Sequence, residues 1–254
     1  MIPKIIHYCW FGGNPLPKLA KKCIKSWKKF CPDYEIIRWD ESNFDINSNQ
    51  YVKEAYEAKK WAFVTDYVRL WAIYNYGGIY MDTDVEVIKP LDSFLECNGF
   101  TGFESNSFMV TGIMAGAKDN HIYKKLLDYY KQRHFVKDDG TYDLTTNTVI
   151  ITDILKDIGF LQNNNLQSID FFILYPSDYF CPKDWSTTII KKTENTVCIH
   201  HFNASWWDAT RRKSFKINLR KQKIKSFLKR FLGSKCYSMI MEIKRKIFNK
   251  NAKD

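Results

Sequence analysis

One stretch constrains this 254-residue chain more than any other. A helical run ends at Tyr76, two glycines follow, the apolar strand Ile79-Tyr80-Met81 comes next, and Asp82-Thr83-Asp84 closes it. Glycine is the residue that ends a helix cheaply, since it enters the left-handed region without a Cβ clash. A helix that passes at once into a short apolar strand predicts alternating layers of helix and sheet, an α/β fold. In an extended strand Asp82 and Asp84 point to the same side, so both carboxylates can address one divalent cation. A lone D-x-D is weak evidence, because the same triplet is common on solvated turns. Its surroundings carry the argument.

Residues 51–75 read as a helix with Trp61, Val64, Val68, Leu70, Trp71 and Tyr74 on its buried faces. Asp66 and Arg69 stand three apart on it. On a surface such a pair contributes only ~0.2–0.5 kcal/mol. Among apolar neighbours it reads instead as a buried pair that serves a partner. The chain opens with a strand over 4–10, an amphipathic helix over 16–30 and a second strand over 34–39, a β-α-β start that predicts a mostly parallel sheet. Further on, 100–117 reads as paired short strands, 121–134 as a helix, 163–165 as a loop and 197–201 as a late strand.

Charge divides the chain. Net charge is +11, while residues 211–254 hold 16 Lys or Arg against Glu242 and Asp254, giving 16 − 2 = +14, so the preceding 210 residues carry 11 − 14 = −3. A boundary near 210 separates a slightly acidic body from a basic tail. In the tail Ile224, Phe227, Leu228, Phe231 and Leu232 form a helical stripe among lysines, which suits the surface of an anionic bilayer. A helix packed on its own domain, with a solvated basic face, is the plainer reading, and no specific nucleic-acid site is expected. The seven cysteines include no C-x-x-C pair and suit a reducing compartment. With no signal-like segment and no run of the ~18 apolar residues a span needs, a cytoplasmic protein is expected, peripheral at the inner face of the plasma membrane.

Asp66-x-x-Arg69 followed by Gly77-Gly78-Ile79-Tyr80-x-Asp82-x-Asp84 resembles the DXD region of glycosyltransferase family 32. That family holds yeast initiating α-1,6-mannosyltransferases and bacterial capsule and lipopolysaccharide transferases. The pattern is also similar to the catalytic core of the large clostridial glucosylating toxins. The opening Ile2-Pro3-Lys4-Ile5-Ile6-His7-Tyr8-Cys9-Trp10-Phe11-Gly12-Gly13 and the late His200-His201-Phe202-Asn203-Ala204-Ser205-Trp206-Trp207 match as well, so the resemblance spans 2–207.

The resemblance implies a GT-A type, Rossmann-like nucleotide-binding fold with a mixed central sheet over 1–210, with basic helices over 211–254. It implies a retaining hexosyltransferase that uses Mn²⁺ or Mg²⁺ in capsule, lipopolysaccharide or other surface polysaccharide synthesis. Trp10 would stack on the nucleobase, Asp66 would hold the ribose or sugar hydroxyls, and Arg69 would meet the diphosphate or the donor sugar. Asp82 would contact ribose, sugar or metal, and Asp84 would be the principal metal ligand. Asn203 and His201 compete as a further ligand, with Ser205 and Trp207 on the diphosphate. The donor is a UDP-hexose or GDP-mannose, with the Asn203–Ser205–Trp207 spacing pointing to UDP. The acceptor is a glycan or lipid-linked glycan, bound near loops 100–116 and 135–150, including Asn147.

Plainer readings stand beside these. Trp10 could be a core ring, and His200 and His201 alternate faces, so at least one is structural. A toxin-like transferase acting on protein and a non-catalytic polyanion-binding module are the rival functions. On the membrane reading of the tail, full-length protein floats with anionic liposomes and a 1–210 truncation does not; equal flotation removes that reading.

Overall fold

The computed structural model describes residues 1–106, 108–110 and 112–203, together with Ser214 and Ile217. One compact unit comprises 1–184 and 189–206, while 185–188 and 207–254 form a second. The boundary near 210, the basic helices expected beyond it, and Ser205, Trp206 and Trp207 all lie outside the described residues.

The expected β-α-β opening is present: β1 (Ile5–Cys9), α1 (Lys18–Phe30) and β2 (Glu35–Trp39). The long helix expected over 51–75 is two, α2 (Gln50–Glu57) and α3 (Trp61–Tyr76). They part at Lys59, whose φ of 55° lies in the left-handed region. An L-residue there ends the hydrogen-bonded ladder, a break that apolar periodicity does not register. Gly77 ends α3 with φ 69°, and β3 (Gly78–Met81) follows directly.

Next come β4 (Val85–Val87), β5 (Gly99–Gly102), β6 (Ile113–Gly116) and α4 (His121–Asp128), which stops short of the expected 134. Then α5 (Asn147–Ile158), β7 (Gln167–Ile169), β8 (Phe172–Tyr175), the short α6 (Ser177–Phe180) and β9 (Cys198–His200) complete the described elements. For α5, β7, β8 and α6 the sequence pattern carries no expectation.

The seven-stranded sheet runs β2-β1-β3-β6-β5-β8-β7, and β4 pairs with β9 in a separate ribbon. It is mixed, as expected of a GT-A type fold, and less parallel than the opening alone suggests. Neighbours β2, β1 and β3 are parallel, β6 is antiparallel to both β3 and β5, and β8 is parallel to β5. The carboxyl ends of β1, β3, β5 and β8 therefore share one edge. That edge is where open α/β sheets bind ligands.

Two apolar layers flank the sheet. One, under α2, α3, α4 and α5, includes Val64, Val68, Leu70, Tyr80, Met114, Ile151 and Leu155. The other, under α1, β4 and β9, includes Trp27, Ile79, Met81, Val85, Phe100, Ile113 and Cys198. Tyr80 and Met81 thus face opposite layers, as strand alternation requires. Trp27 anchors α1 by donating its indole N–H to the Val85 carbonyl at 2.8 Å.

Gly78 sits at φ 107°, where a Cβ would lie 2.7 Å from the Ile5 carbonyl oxygen and 3.0 Å from His7 Nε2. Gly78→Ala is expected to destabilise the protein by roughly 1–3 kcal/mol from backbone strain, with the Ile5 contact adding to it. Urea unfolding measures this, and an unchanged midpoint refutes it.

Candidate active site

The strand β3 carries its last buried residues, Tyr80 and Met81, to the open edge and releases Asp82 into a tight turn. That turn is closed by the Val85 N–H donating to the Asp82 carbonyl at 2.9 Å. The Asp82 N–H still continues the ladder, donating to the Gly112 carbonyl at 2.7 Å. Asp82 is therefore held by sheet hydrogen bonds while its carboxylate projects past the sheet.

The helix α3 supplies a cation to that carboxylate. Arg69 Nη2 lies 3.2 Å from Asp66 Oδ1 and 3.3 Å from Asp82 Oδ1. Its guanidinium rests over the Tyr80 ring, 4.7 Å from the centroid. The Tyr80 hydroxyl donates to the same Asp82 oxygen at 3.0 Å. The Asp66–Arg69 pair expected from spacing alone thus does serve a partner, Asp82.

One guanidinium shared between two carboxylates cannot fully compensate both. Burial pushes the Asp66 carboxyl up to about 6; Arg69 opposes that rise and Asp82 adds to it. Asp66 is 8% exposed, and its backbone carbonyl faces Asn147 Nδ2 at 3.5 Å. Asn147, the first residue of α5, is itself buried, and its Oδ1 has no hydrogen-bond partner among the described residues. Asn147, expected near the acceptor, stands against Asp66.

The third element is β9. Its ribbon with β4 sets Val85 opposite His200, bringing the imidazole over the aspartates. His200 Nε2 is 3.3 Å from Asp84 Oδ1 and 4.0 Å from Asp82 Oδ2. The other Asp84 oxygen accepts the Asn203 backbone N–H at 2.6 Å. Burial works against the charged form of Asp84, but His200 and the Asn203 N–H outweigh it and bring its pKa down to about 2. Burial likewise disfavours the His200 cation, and Asp84 overcomes it, raising the imidazole well above its usual range.

Asp82, Asp84 and His200 present ligand atoms that all lie within 4.8 Å of one another. A mixed carboxylate and imidazole set suits Mn²⁺ or another first-row divalent ion, and neighbouring ligands on such an ion sit about 3 Å apart. The donor set fits a cation. The imidazole at this place is His200. His201 turns to the other side of β9, where Nε2 meets Glu86 Oε2 at 2.8 Å, and Glu86 also binds Lys22. Alternation in a strand allowed one histidine at the aspartates, and only the β4–β9 register selects which.

Trp10 stands at the carboxyl end of β1, partly buried, its indole N–H donating to the Asn14 carbonyl at 2.5 Å. The adjoining loop is tied down by the Gly12 N–H donating to Glu41 Oε1 at 2.6 Å. Trp10 shares the sheet edge with Asp82 but makes no hydrogen bond or ring contact with the carboxylates among the described residues. Glu104, two residues past β5, is a site residue the sequence reading passed over: its charged neighbours are His200, Asp82 and Asp84. No motif announces it, and only the strand order brings it there.

With this geometry in view, the relationships of the chain are specific. Residues 17–101 match the family model described as "Glycosyltransferase sugar-binding region containing DXD motif". Those residues contain Asp66, Arg69, Asp82 and Asp84, so the part of the chain that resembles that family carries both the helix pair and the two aspartates of the site.

Two relatives are particular. Inositol phosphoceramide mannosyltransferase 3 of Schizosaccharomyces pombe is 34% identical over 125 residues, which cover 46% of this chain and 34% of that protein. An uncharacterized glycosyltransferase of Acanthamoeba polyphaga mimivirus is 26% identical over 226 residues, covering 82% and 84%. This chain thus spans about a third of the fission-yeast relative and most of the viral one. Among solved structures, a glycosyltransferase involved in glycosylation of the major capsid of PBCV-1 aligns with a TM-score of 0.47 at 13% identity, covering 85% of this chain and 100% of that one.

The raised Asp66 carboxyl carries a pH signature. Its folded pKa of about 6 exceeds the ordinary carboxyl value of 3.8, so between those values the folded state binds more protons than the unfolded state. Its contribution to stability therefore declines as pH rises from about 4 to 6. Asp66→Asn is expected to remove that decline, read as the difference between the two proteins' urea midpoints across this range. Parallel pH profiles contradict the assignment.

Proposed function

We propose that this chain is a metal-dependent, retaining hexosyltransferase that takes its sugar from a nucleoside diphosphate donor. The observation that carries this is the convergence of Asp82, Asp84 and His200 beside Arg69 at the carboxyl edge of the sheet. A phosphoesterase could use two aspartates, but the DXD family match over 17–101 favours sugar transfer.

The leaving nucleoside diphosphate gains negative charge as the glycosidic bond breaks. Asp82, Asp84 and His200 are the residues that would hold the cation, with Asn203 as the competing donor. A divalent ion bound there supplies positive charge to the leaving diphosphate oxygens. Arg69 adds a fixed guanidinium whose orientation is set by Asp66, Asp82 and the Tyr80 ring. Asp66 and the unpartnered Asn147 Oδ1 offer acceptors to the hydroxyls of the donor sugar or ribose. Trp10 gives the nucleobase an aromatic face at the end of β1, and Ser205 and Trp207 are assigned to the diphosphate. A UDP-hexose is the proposed donor, with GDP-mannose as the alternative.

The acceptor is proposed to be a glycan or a lipid-linked glycan in surface polysaccharide synthesis. The inositol phosphoceramide mannosyltransferases among the relatives name a lipid-borne acceptor, which supports an enzyme working at a membrane surface. The +14 charge of 211–254 supplies the attraction to an anionic leaflet. No described helix is long and apolar enough to cross a membrane. The proposed location is the cytoplasm, peripheral at the inner face of the plasma membrane.

Thermal-shift measurements with UDP-glucose, UDP-galactose and GDP-mannose, each with and without Mn²⁺, are expected to show stabilisation that needs both metal and one nucleotide. Asp84→Ala is expected to lower Mn²⁺-dependent donor hydrolysis by about 10²-fold or more. Activity that survives in Asp84→Ala removes this site from the chemistry, and an inverted anomer seen by NMR removes retention.

A further inference from the structure

Glu104 follows β5 at the edge where Asp82 leaves β3. The two strands point the same way because each is antiparallel to β6 between them, so both deliver an acid to one edge. A Cβ on Gly102 would lie 2.7 Å from the Phe180 ring, whereas Phe103 points into the opposite layer with Val64 and Met109. Alternation then returns Glu104 to the Phe180 side. That is the side of α6 and β9, which are tied by the Val197 N–H donating to the Tyr179 carbonyl at 2.8 Å.

Asp66 and Arg69 reach the aspartates from α3, on the other face of the sheet. Gly112 lies against the cation-binding groups, where a Cβ would stand 2.9 Å from Val85, 3.1 Å from Asp82 Oδ2 and 3.2 Å from His200. The glycine keeps the ground beside Asp82 and His200 clear.

The Glu104 carboxylate is partly buried and has no hydrogen-bond or ion-pair partner among the described residues. Burial, Asp82 and Asp84 raise its pKa, and only His200 opposes them. A carboxylate held this way is costly unless a ligand brings hydrogen-bond donors to it. An anionic diphosphate is repelled by it, whereas a hydroxyl donates to it.

We infer that Glu104 binds the attacking hydroxyl of a polyhydroxylated acceptor, its carboxylate accepting that hydroxyl's hydrogen bond. The carboxylate takes the hydroxyl's proton as the oxygen bonds the anomeric carbon and the bond from that carbon to the diphosphate breaks, the pair of electrons leaving with the diphosphate. This rests on the transferase reading above.

The test uses full-length protein and donor hydrolysis, in which water takes the place of the acceptor hydroxyl. Glu104→Gln is expected to lower kcat by roughly 10²-fold, with the donor KM and the Mn²⁺ affinity by electron paramagnetic resonance unchanged within about twofold. Its Tm is expected to equal or exceed that of the wild type, because a neutral amide removes an uncompensated acid. An unchanged kcat overturns the inference, as does a loss of Mn²⁺ or donor affinity, or a lowered Tm that accounts for the lost activity. A wild-type protein that binds Mn²⁺ and nucleoside diphosphate but hydrolyses no nucleotide sugar overturns the transferase reading instead.

Discussion

Arg69 binds two carboxylates from different elements, and the rest of the site is arranged around that shared charge. Asp66 lies on the same helix, three residues earlier, while Asp82 lies beyond the strand that follows. The guanidinium therefore ties the outgoing end of β3 to the helix that precedes it. Only arginine meets these demands at once, with a planar fork of donors and a face that rests on Tyr80. A lysine could balance charge here but could not also bridge and stack. The Gly77-Gly78 turn sets the geometry, reversing the chain tightly enough for α3 to lie against β3.

Around this bridge the protein gathers more acid than its own cations neutralise. Asp66, Asp82, Asp84 and Glu104 converge on one edge of the sheet, with Arg69 and His200 between them. Where partners are good, as for Asp84, the carboxyl stays ionised to low pH. Where they are shared or lacking, as for Asp66 and Glu104, burial prevails and the carboxyl holds its proton longer. Such an imbalance is what a site for a cation and a hydroxylated ligand requires, and proteins accept the loss of stability at places of this kind.

Much of the frame was legible because it is local. The opening β-α-β unit follows from apolar periodicity and Pro32, and the end of α3 from two glycines. Asp82 and Asp84 stand out because an apolar strand leads straight to them. The break at Lys59 was missed because it is a backbone conformation, not a change of polarity. The polar residues before α5, Asp138 to Thr146, read as loop, and Thr146 caps no backbone N–H of the helix, its hydroxyl pairing instead with that of Thr148. Of the site itself, the Asp66–Arg69 spacing gave the pair and its buried character, but not its partner.

By itself the sequence determined the α/β class, the strand that presents Asp82 and Asp84, and the similarity of residues 17–101 to a DXD sugar-binding region. These depend on neighbours within a few residues, where periodicity and glycine conformation act. Tertiary structure alone decided that His200 and not His201 faces the aspartates, that Asn147 meets Asp66, and that Glu104 joins them from β5. Each is a contact across about 80 residues or more in the first two cases, or across an intervening strand in the third. A strand presents alternate residues to opposite faces whatever it pairs with. Which face becomes the site is set by the register of β4 with β9 and the order of strands in the sheet, and neither is a property of any one segment.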